Sequence, residues 1–154
     1  ERGATAGEVD AVISQAPTRL WLVPAQVDAV RAFSALPEAA SLAAANKRIG
    51  NILRKSGAGA AADVDPALFA DAAERALFER IEALAPRVGT AMQARDFTGA
   101  LTVLAGARDA VDQFFDAVMV MADDARVRGN RLALLARLHA MMNQVADLSK
   151  LSNA

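Results

Sequence analysis

A chain of 154 residues that is 54% hydrophobic, with no Cys, no Tyr and 17 basic against 18 acidic side chains, is long enough for one domain with a real core. Lack of cysteine excludes a disulfide framework and a thiolate zinc site, and no apolar stretch approaches the ~20 residues that span a bilayer. Abundant alanine and scarce aromatics favour close-packed helices over sheets, so the expectation is an all-α bundle of about six or seven helices. The N-terminus has no basic region followed by an apolar one, which makes the cytoplasm the default location. A first residue of Glu1 rather than Met is expected of a segment cut from a longer polypeptide.

Helix punctuation organises the chain from its start. Thr5 and Glu8 have capping-box spacing and should open a short helix closed by Pro17. Pro24 suits the first turn of a second helix reaching Ala35, and Pro37 separates it from a third that runs to Lys55, with Gly57 just past its end. The stretch SGAGAAAD, residues 56–63, is small and unpatterned and reads as a connection. It is not a phosphate loop, because that motif needs Lys followed by Ser or Thr after its last Gly, and Lys55 precedes the glycines. Asp65 and Pro66 form an N-cap and first-turn pair for a long helix that Pro86 should kink or end. Asp96 caps the next helix, which is expected to include FFDAVMVM and to lie centrally, with its Phe and Met side chains in the core. Asp123 or Asp124 caps the last helix, which should reach Leu148.

That last helix carries an apolar stripe of Val127, Leu134, Leu135, Leu138, Met141, Met142 and Val145, and Arg131 projects from within it. An unpaired buried guanidinium would cost several kcal/mol, so Arg131 should meet a carboxylate. Asp116, Asp123 and Asp124 are the nearest candidates in sequence. Arg126, Asn130 and Arg137 fall on another face and are expected to be solvated. His139 stands beside apolar neighbours without a second ligand or a nucleophile pattern, and reads as a packed or surface histidine. The carboxylates of residues 63–82 follow helix spacing and read as a solvated face or as partners of Arg75 and Arg80. Nothing in this inventory supplies a catalytic or metal centre.

Charge is balanced overall but unevenly distributed: residues 1–56 carry 7 basic and 5 acidic side chains, residues 57–125 carry 5 and 12, and residues 126–154 carry 5 and 1. Such asymmetry points to a polyanion partner or to self-complementary packing. Its densest cationic element is NKRIGNILRK, residues 46–55, where Leu42, Ala45, Ile49, Ile52 and Leu53 share one side of the helix. Lys47, Arg48, Asn51, Arg54 and Lys55 take the other, and no acid stands between Glu38 and Asp63. Basic groups hold phosphates and an amide among them can read a base edge. Trp21 and Phe33, the aromatics nearest this helix in sequence, both suit the core, which leaves stacking partners unassigned.

AAANKRIGNILRK, FFDAVMVMADD, RGNRLALL and VADLSKL, in this order and at these separations, resemble the C-terminal part of the β subunit of bacterial glycyl-tRNA synthetases, with similarity over essentially the whole chain. The resemblance implies one helical anticodon-binding domain over residues 1–154, related to that of arginyl-tRNA synthetases. It further implies glycine tRNA as partner, and assembly of the long β subunit with catalytic α subunits as a heterotetramer. ATP and glycine would be handled by the α chain, with no cofactor in this domain. Combined with the residue pattern, it makes Lys47, Arg48, Arg54 and Lys55 candidate phosphate contacts and Asn51 and Asn130 candidate base or sugar contacts. Arg126 with Arg128 would form a second basic patch, converging with the first in one trough. The alternative is a protein-interaction module whose basic helix docks on an acidic surface of its own complex.

Overall fold

The computed structural model of the chain describes residues 3–13, 23–56, 63–144 and 146–151. Among them are seven α-helices and no strand: α1 (Ala6–Ile13), α2 (Val23–Ser34), α3 (Ala39–Ser56), α4 (Ala72–Gln93), α5 (Phe97–Ala105), α6 (Arg108–Ala117) and α7 (Ala125–Met142), with 3-10 turns at Pro66–Leu68 and Leu148–Leu151. None of these helices is long and apolar enough to cross a membrane. Pro17, Trp21, Gly57 with the alanine-rich connection through residue 62, and Val145 lie outside the described residues.

Local chemistry sets the helix starts. In the expected capping box, Glu8 N–H donates to Thr5 Oγ1 at 3.2 Å and Thr5 N–H to Glu8 Oε2 at 2.9 Å. Pro24 sits in the first turn of α2, whose Val27, Val30 and Phe33 are buried. The long helix starts later than the Asp65–Pro66 signal predicts. Asp65 caps only a 3-10 turn, accepting from Ala67 N–H at 3.0 Å, after which Phe69 is extended and its ring meets Phe78 at 5.6 Å. A second box does the work for α4: Asp71 accepts from Ala73 N–H at 2.8 Å, and Glu74 Oε1 accepts from Asp71 N–H at 3.0 Å.

Pro86 neither ends nor divides α4, which continues to Gln93. The ring sits on the exposed face, while Leu77, Ile81, Leu84 and Val88 form a buried stripe on the other. An interior proline costs about 3 kcal/mol, and full burial of each such side chain contributes about 1.5–3 kcal/mol, so the stripe outweighs the defect. The helix closes with Arg95 at φ 57, Arg95 N–H bonded to Met92 O at 3.0 Å and Asp96 N–H to Ala91 O at 2.8 Å, the paired bonds of a Schellman turn.

FFDAVMVM departs most from its reading as a central helix. α5 and α6 are separate, and α6 stops at Ala117, with Val118 extended at φ −113 and ψ 126. From there burial alternates: Val118 and Val120 are 7% exposed, Met119 is 74% and Met121 52%. Val-Met-Val-Met is a period-two pattern, and the segment crosses the surface as an extended strap with its valines inward. The central helix is α7 instead, where every residue from Asn130 to Leu135 is buried and which packs on α3 and α4. Asp124 caps it, accepting from Arg126 N–H at 2.8 Å and Val127 N–H at 3.2 Å, and it ends at Met142 before the 3-10 turn at Leu148–Leu151.

Candidate nucleic-acid interface

The apolar face of α3 buries Leu42, Ala45 and Ile49 in the core, which fixes the opposite face toward solvent. Lys47, Arg48, Arg54 and Lys55 are exposed there, with Asn51 half-buried between them. Arg48 lies over the Phe115 ring at 4.3 Å from its centroid, and Arg54 donates to Asn51 Oδ1. These contacts orient planar donors on the surface rather than neutralising them. Lys47, Arg48, Asn51 and Lys55 border a shallow depression of about 500 Å³ with Ala44 and Ile52.

On the adjoining face of the same helix, with Lys47 and Asn51 shared, α3 meets α7 in a cleft of about 650 Å³ lined by Asn46, Lys47, Gly50, Asn51, Arg54, His139, Ala140, Asn143 and Asp147. Its floor is a reciprocal amide pair: Asn46 Nδ2 donates to Asn143 Oδ1 at 2.8 Å, and Asn143 Nδ2 to Asn46 Oδ1 at 2.9 Å. Asn143 also bonds His139 O and Leu148 N–H, so one side chain ties α3, the end of α7 and the final turn together. Asn46 was legible as an anomaly, a polar residue between Leu42 and Ile49 on an apolar face. Its partner 97 positions away was not.

Residues proposed for a second patch at the start of α7 do not join this surface. Asn46 opposite Asn143 and Gly50 opposite His139 make the two helices antiparallel. At 1.5 Å per residue that register carries Arg126 about 10 Å beyond the end of α3. Arg126 is exposed, but it lines neither depression. Arg128 is half-buried, donating to Ala122 O at 3.0 Å. Asn130, expected to be solvated, is 5% exposed, and its amide closes two bonds with the Asp65 backbone, at 2.7 Å from Asp65 N–H and 2.9 Å to Asp65 O. Arg137 is exposed but pairs with Glu82 and lies over Phe78.

Arg131 has a carboxylate partner, though not one of the three nearest in sequence. Its Nη2 meets Glu74 Oε1 at 2.9 Å and its Nη1 meets Met119 O at 2.6 Å. Asp116 and Asp123 are exposed, and Asp124 is committed to capping α7. The polar corner after the Val-Met strap thereby has a physical reason. Met119 and Ala122 present carbonyls that no helix bonds, and Arg131 and Arg128 satisfy them. Glu74, the buried member of the pair, was hidden among carboxylates read as a solvated face or as partners of Arg75 and Arg80.

Burial holds the His139 imidazole below its ordinary value of 6.5, with the Asp147 carboxylate pulling the other way. Around it, α3 presents Lys47 and Arg54, and the segment after α7 presents Asp147. A histidine whose folded value is lowered favours the unfolded chain on protonation. Stability is therefore expected to be full above 6.5 and to fall as pH drops through the window between 6.5 and the lowered folded value. Thermal melts of the parent and of His139→Gln across that window check this, the variant losing that part of the pH dependence.

The described residues form a helical domain that displays a cationic helix beside a polar cleft, a surface suited to a polyanion, and comparison with known proteins makes the class specific. Residues 42–152 match the family model of the DALR anticodon binding domain, and the chain belongs to that family. It is 56% identical over 152 residues to a glycine–tRNA ligase beta subunit of Thiobacillus denitrificans, covering 99% of this chain and 22% of that protein. Beta subunits from Dechloromonas aromatica, at 55% identity with 21% of that protein covered, and Ralstonia nicotianae, at 53% with 22% covered, are similar over the same 99% of the chain. The chain thus spans about a fifth of the length of these relatives.

Proposed function

We propose that this domain grips the anticodon end of glycine tRNA as part of a glycine–tRNA ligase β subunit, and so positions the distant acceptor end for aminoacylation by a catalytic α subunit. The observation that carries the reading is the outer face of α3, where Lys47, Arg48, Arg54 and Lys55 are exposed together around Asn51. Cations at that density suit a phosphate backbone, and an amide among them suits a base edge or a ribose. In this reading residues 1–154 form one domain of a cytoplasmic heterotetramer, its partners are the rest of the β subunit and the α subunit, and ATP and glycine bind the α subunit. The domain itself contributes no chemical step.

Binding of glycine tRNA and of the same tRNA with an exchanged anticodon tests this on the chain. Specific recognition predicts weaker binding of the exchanged tRNA, and a log–log salt dependence of slope about −3, from four phosphate contacts at about 0.7 each. Equal affinities for the two tRNAs would defeat anticodon recognition. Equal affinities with no salt dependence would favour a protein-docking role for α3.

A further inference from the structure

We propose that the Asn46–Asn143 amide pair acts as a register pin, holding α3 at one position along α7 and thereby setting where the cationic face of α3 lies. The inference rests on the RNA-binding reading above and adds a positioning role for a pair that reading does not use. Asn46 is 0% exposed, and among the described residues Asn143 is the partner of its side chain, donating to it at 2.9 Å and accepting from it at 2.8 Å. An amide so buried has given up its bonds to water, and is satisfied only where packing brings a donor and an acceptor to meet it.

The apolar face of α3 offers little resistance to sliding by itself. Of its six buried residues, Ala39, Ala43 and Ala45 are alanines, whose low ridges interlock weakly with a facing helix. A displacement by one turn, about 5.4 Å, would set Gly50 or Leu42 opposite Asn143. Neither offers a side-chain donor or acceptor, so the bonds of the pair would be broken with Asn46 still buried. One such unsatisfied group disfavours the slipped state roughly 5- to 140-fold, whereas an apolar residue at position 46 would tolerate either register. A single buried asparagine fixes the register of coiled coils on the same ground.

The pin is fastened to more than one element. Asn143 also bonds His139 O and Leu148 N–H, and beside Leu148 the Asp147 N–H donates to Ala11 O in α1 at 2.8 Å. The position of α3 is therefore referenced to the end of α7, the final turn and α1 together. Replacing Asn46 alone leaves those bonds in place, so the pin can be withdrawn without dismantling what holds it. Leucine repeats the branched skeleton of asparagine with methyl groups in place of the amide, and suits the neighbouring Leu42 and Ile49.

Asn46→Leu provides the test. The chain has no Cys, so spin labels can be placed at Ala44→Cys on α3 and Ala125→Cys on α7, both exposed positions. The antiparallel register puts them about 30 Å apart along the helix axes, about 20 residues at 1.5 Å each. With Asn46 in place, electron–electron resonance should give one narrow distance. Asn46→Leu should add a second population displaced by about 5 Å, with a melting temperature within about 5 °C of the parent. Without labels, the variant should lose about fivefold of the preference for glycine tRNA over the anticodon-exchanged tRNA, while the salt slope, which counts phosphate contacts, stays unchanged. Should Asn46→Leu fail to melt cooperatively, Asn46→Ala, which needs no extra room, takes its place in both measurements. One narrow distance in the folded variant would overturn the pin. Displaced distances with parent-like discrimination would overturn its role in placing the RNA face. Equal affinity of the parent for the two tRNAs would defeat the anticodon reading and with it that role, the distances still deciding the register.

Discussion

Arg131→Ala is expected to remove about 3–5 kcal/mol of stability, the cost of leaving a buried charge without its partner. Glu74 is 0% exposed, and its Oε1 accepts from Arg131 Nη2 at 2.9 Å, Asp71 N–H at 3.0 Å and Ala70 N–H at 3.1 Å. Removing the guanidinium strands this carboxylate and also frees the Met119 carbonyl, so α4, α7 and the Val-Met strap loosen together. In a domain whose total stability is of order 5–15 kcal/mol, such a loss lowers the melting temperature by roughly 6–20 °C. Glu74→Gln keeps an acceptor for the two backbone N–H groups and should cost less than Arg131→Ala. Asp116→Asn and Asp123→Asn alter exposed groups and should stay within about 0.5 kcal/mol of the parent. Calorimetric melts of the four variants check this, and a large loss in either aspartate variant with a small one in Arg131→Ala would reverse the assignment.

The second large effect is on binding. Replacing Lys47 and Arg48 together by Glu should weaken glycine tRNA binding on the order of a hundredfold at about 0.15 M salt, and flatten the log–log salt slope by about 1.4, two phosphate contacts at about 0.7 each. Both side chains are exposed, and the Arg48 contact with Phe115 that the change removes is worth about 0.5–1 kcal/mol at an exposed site. Asn130→Ala makes the informative contrast. It orphans the Asp65 N–H and C=O, and is expected to cost about 1–3 kcal/mol of stability with no change in salt slope. Filter binding across a salt series, paired with thermal melts, separates the two kinds of variant. An unchanged slope in the double Glu variant would remove α3 from the interface.

What could be read directly was whatever depends on neighbours within one or two helical turns. Capping at Thr5–Glu8, the proline starts of α2 and α3, the Asp96 and Asp124 caps and the two faces of α3 are all local, set by 3.6-residue periodicity and by a side chain reaching an N–H two or three positions away. The same locality misled at FFDAVMVM. A short apolar run fits a buried helix as well as an extended strap, and only the period-two alternation of Val118 to Met121 distinguished them.

Pairings between distant residues were beyond that reach. Arg131 demanded a carboxylate from its place in an apolar stripe, but the choice of Glu74, 57 positions away, over nearby aspartates followed from how α4 packs on α7. Asn130 looked like a solvated polar group by wheel position and Arg128 like part of a second basic patch, and both became ligands of backbone left unbonded by a 3-10 turn and a strap. The cleft is likewise tertiary, because Gly50 and His139 are unremarkable until two antiparallel helices bring them together. The sequence by itself determined the all-helical class, the caps of α1, α5 and α7 and the cationic surface of α3, because those follow from side chains a turn apart. Which polar groups are spent inside and which remain for a ligand was decided by tertiary structure, because a buried donor or acceptor must be satisfied by whatever the packing brings within about 3 Å of it.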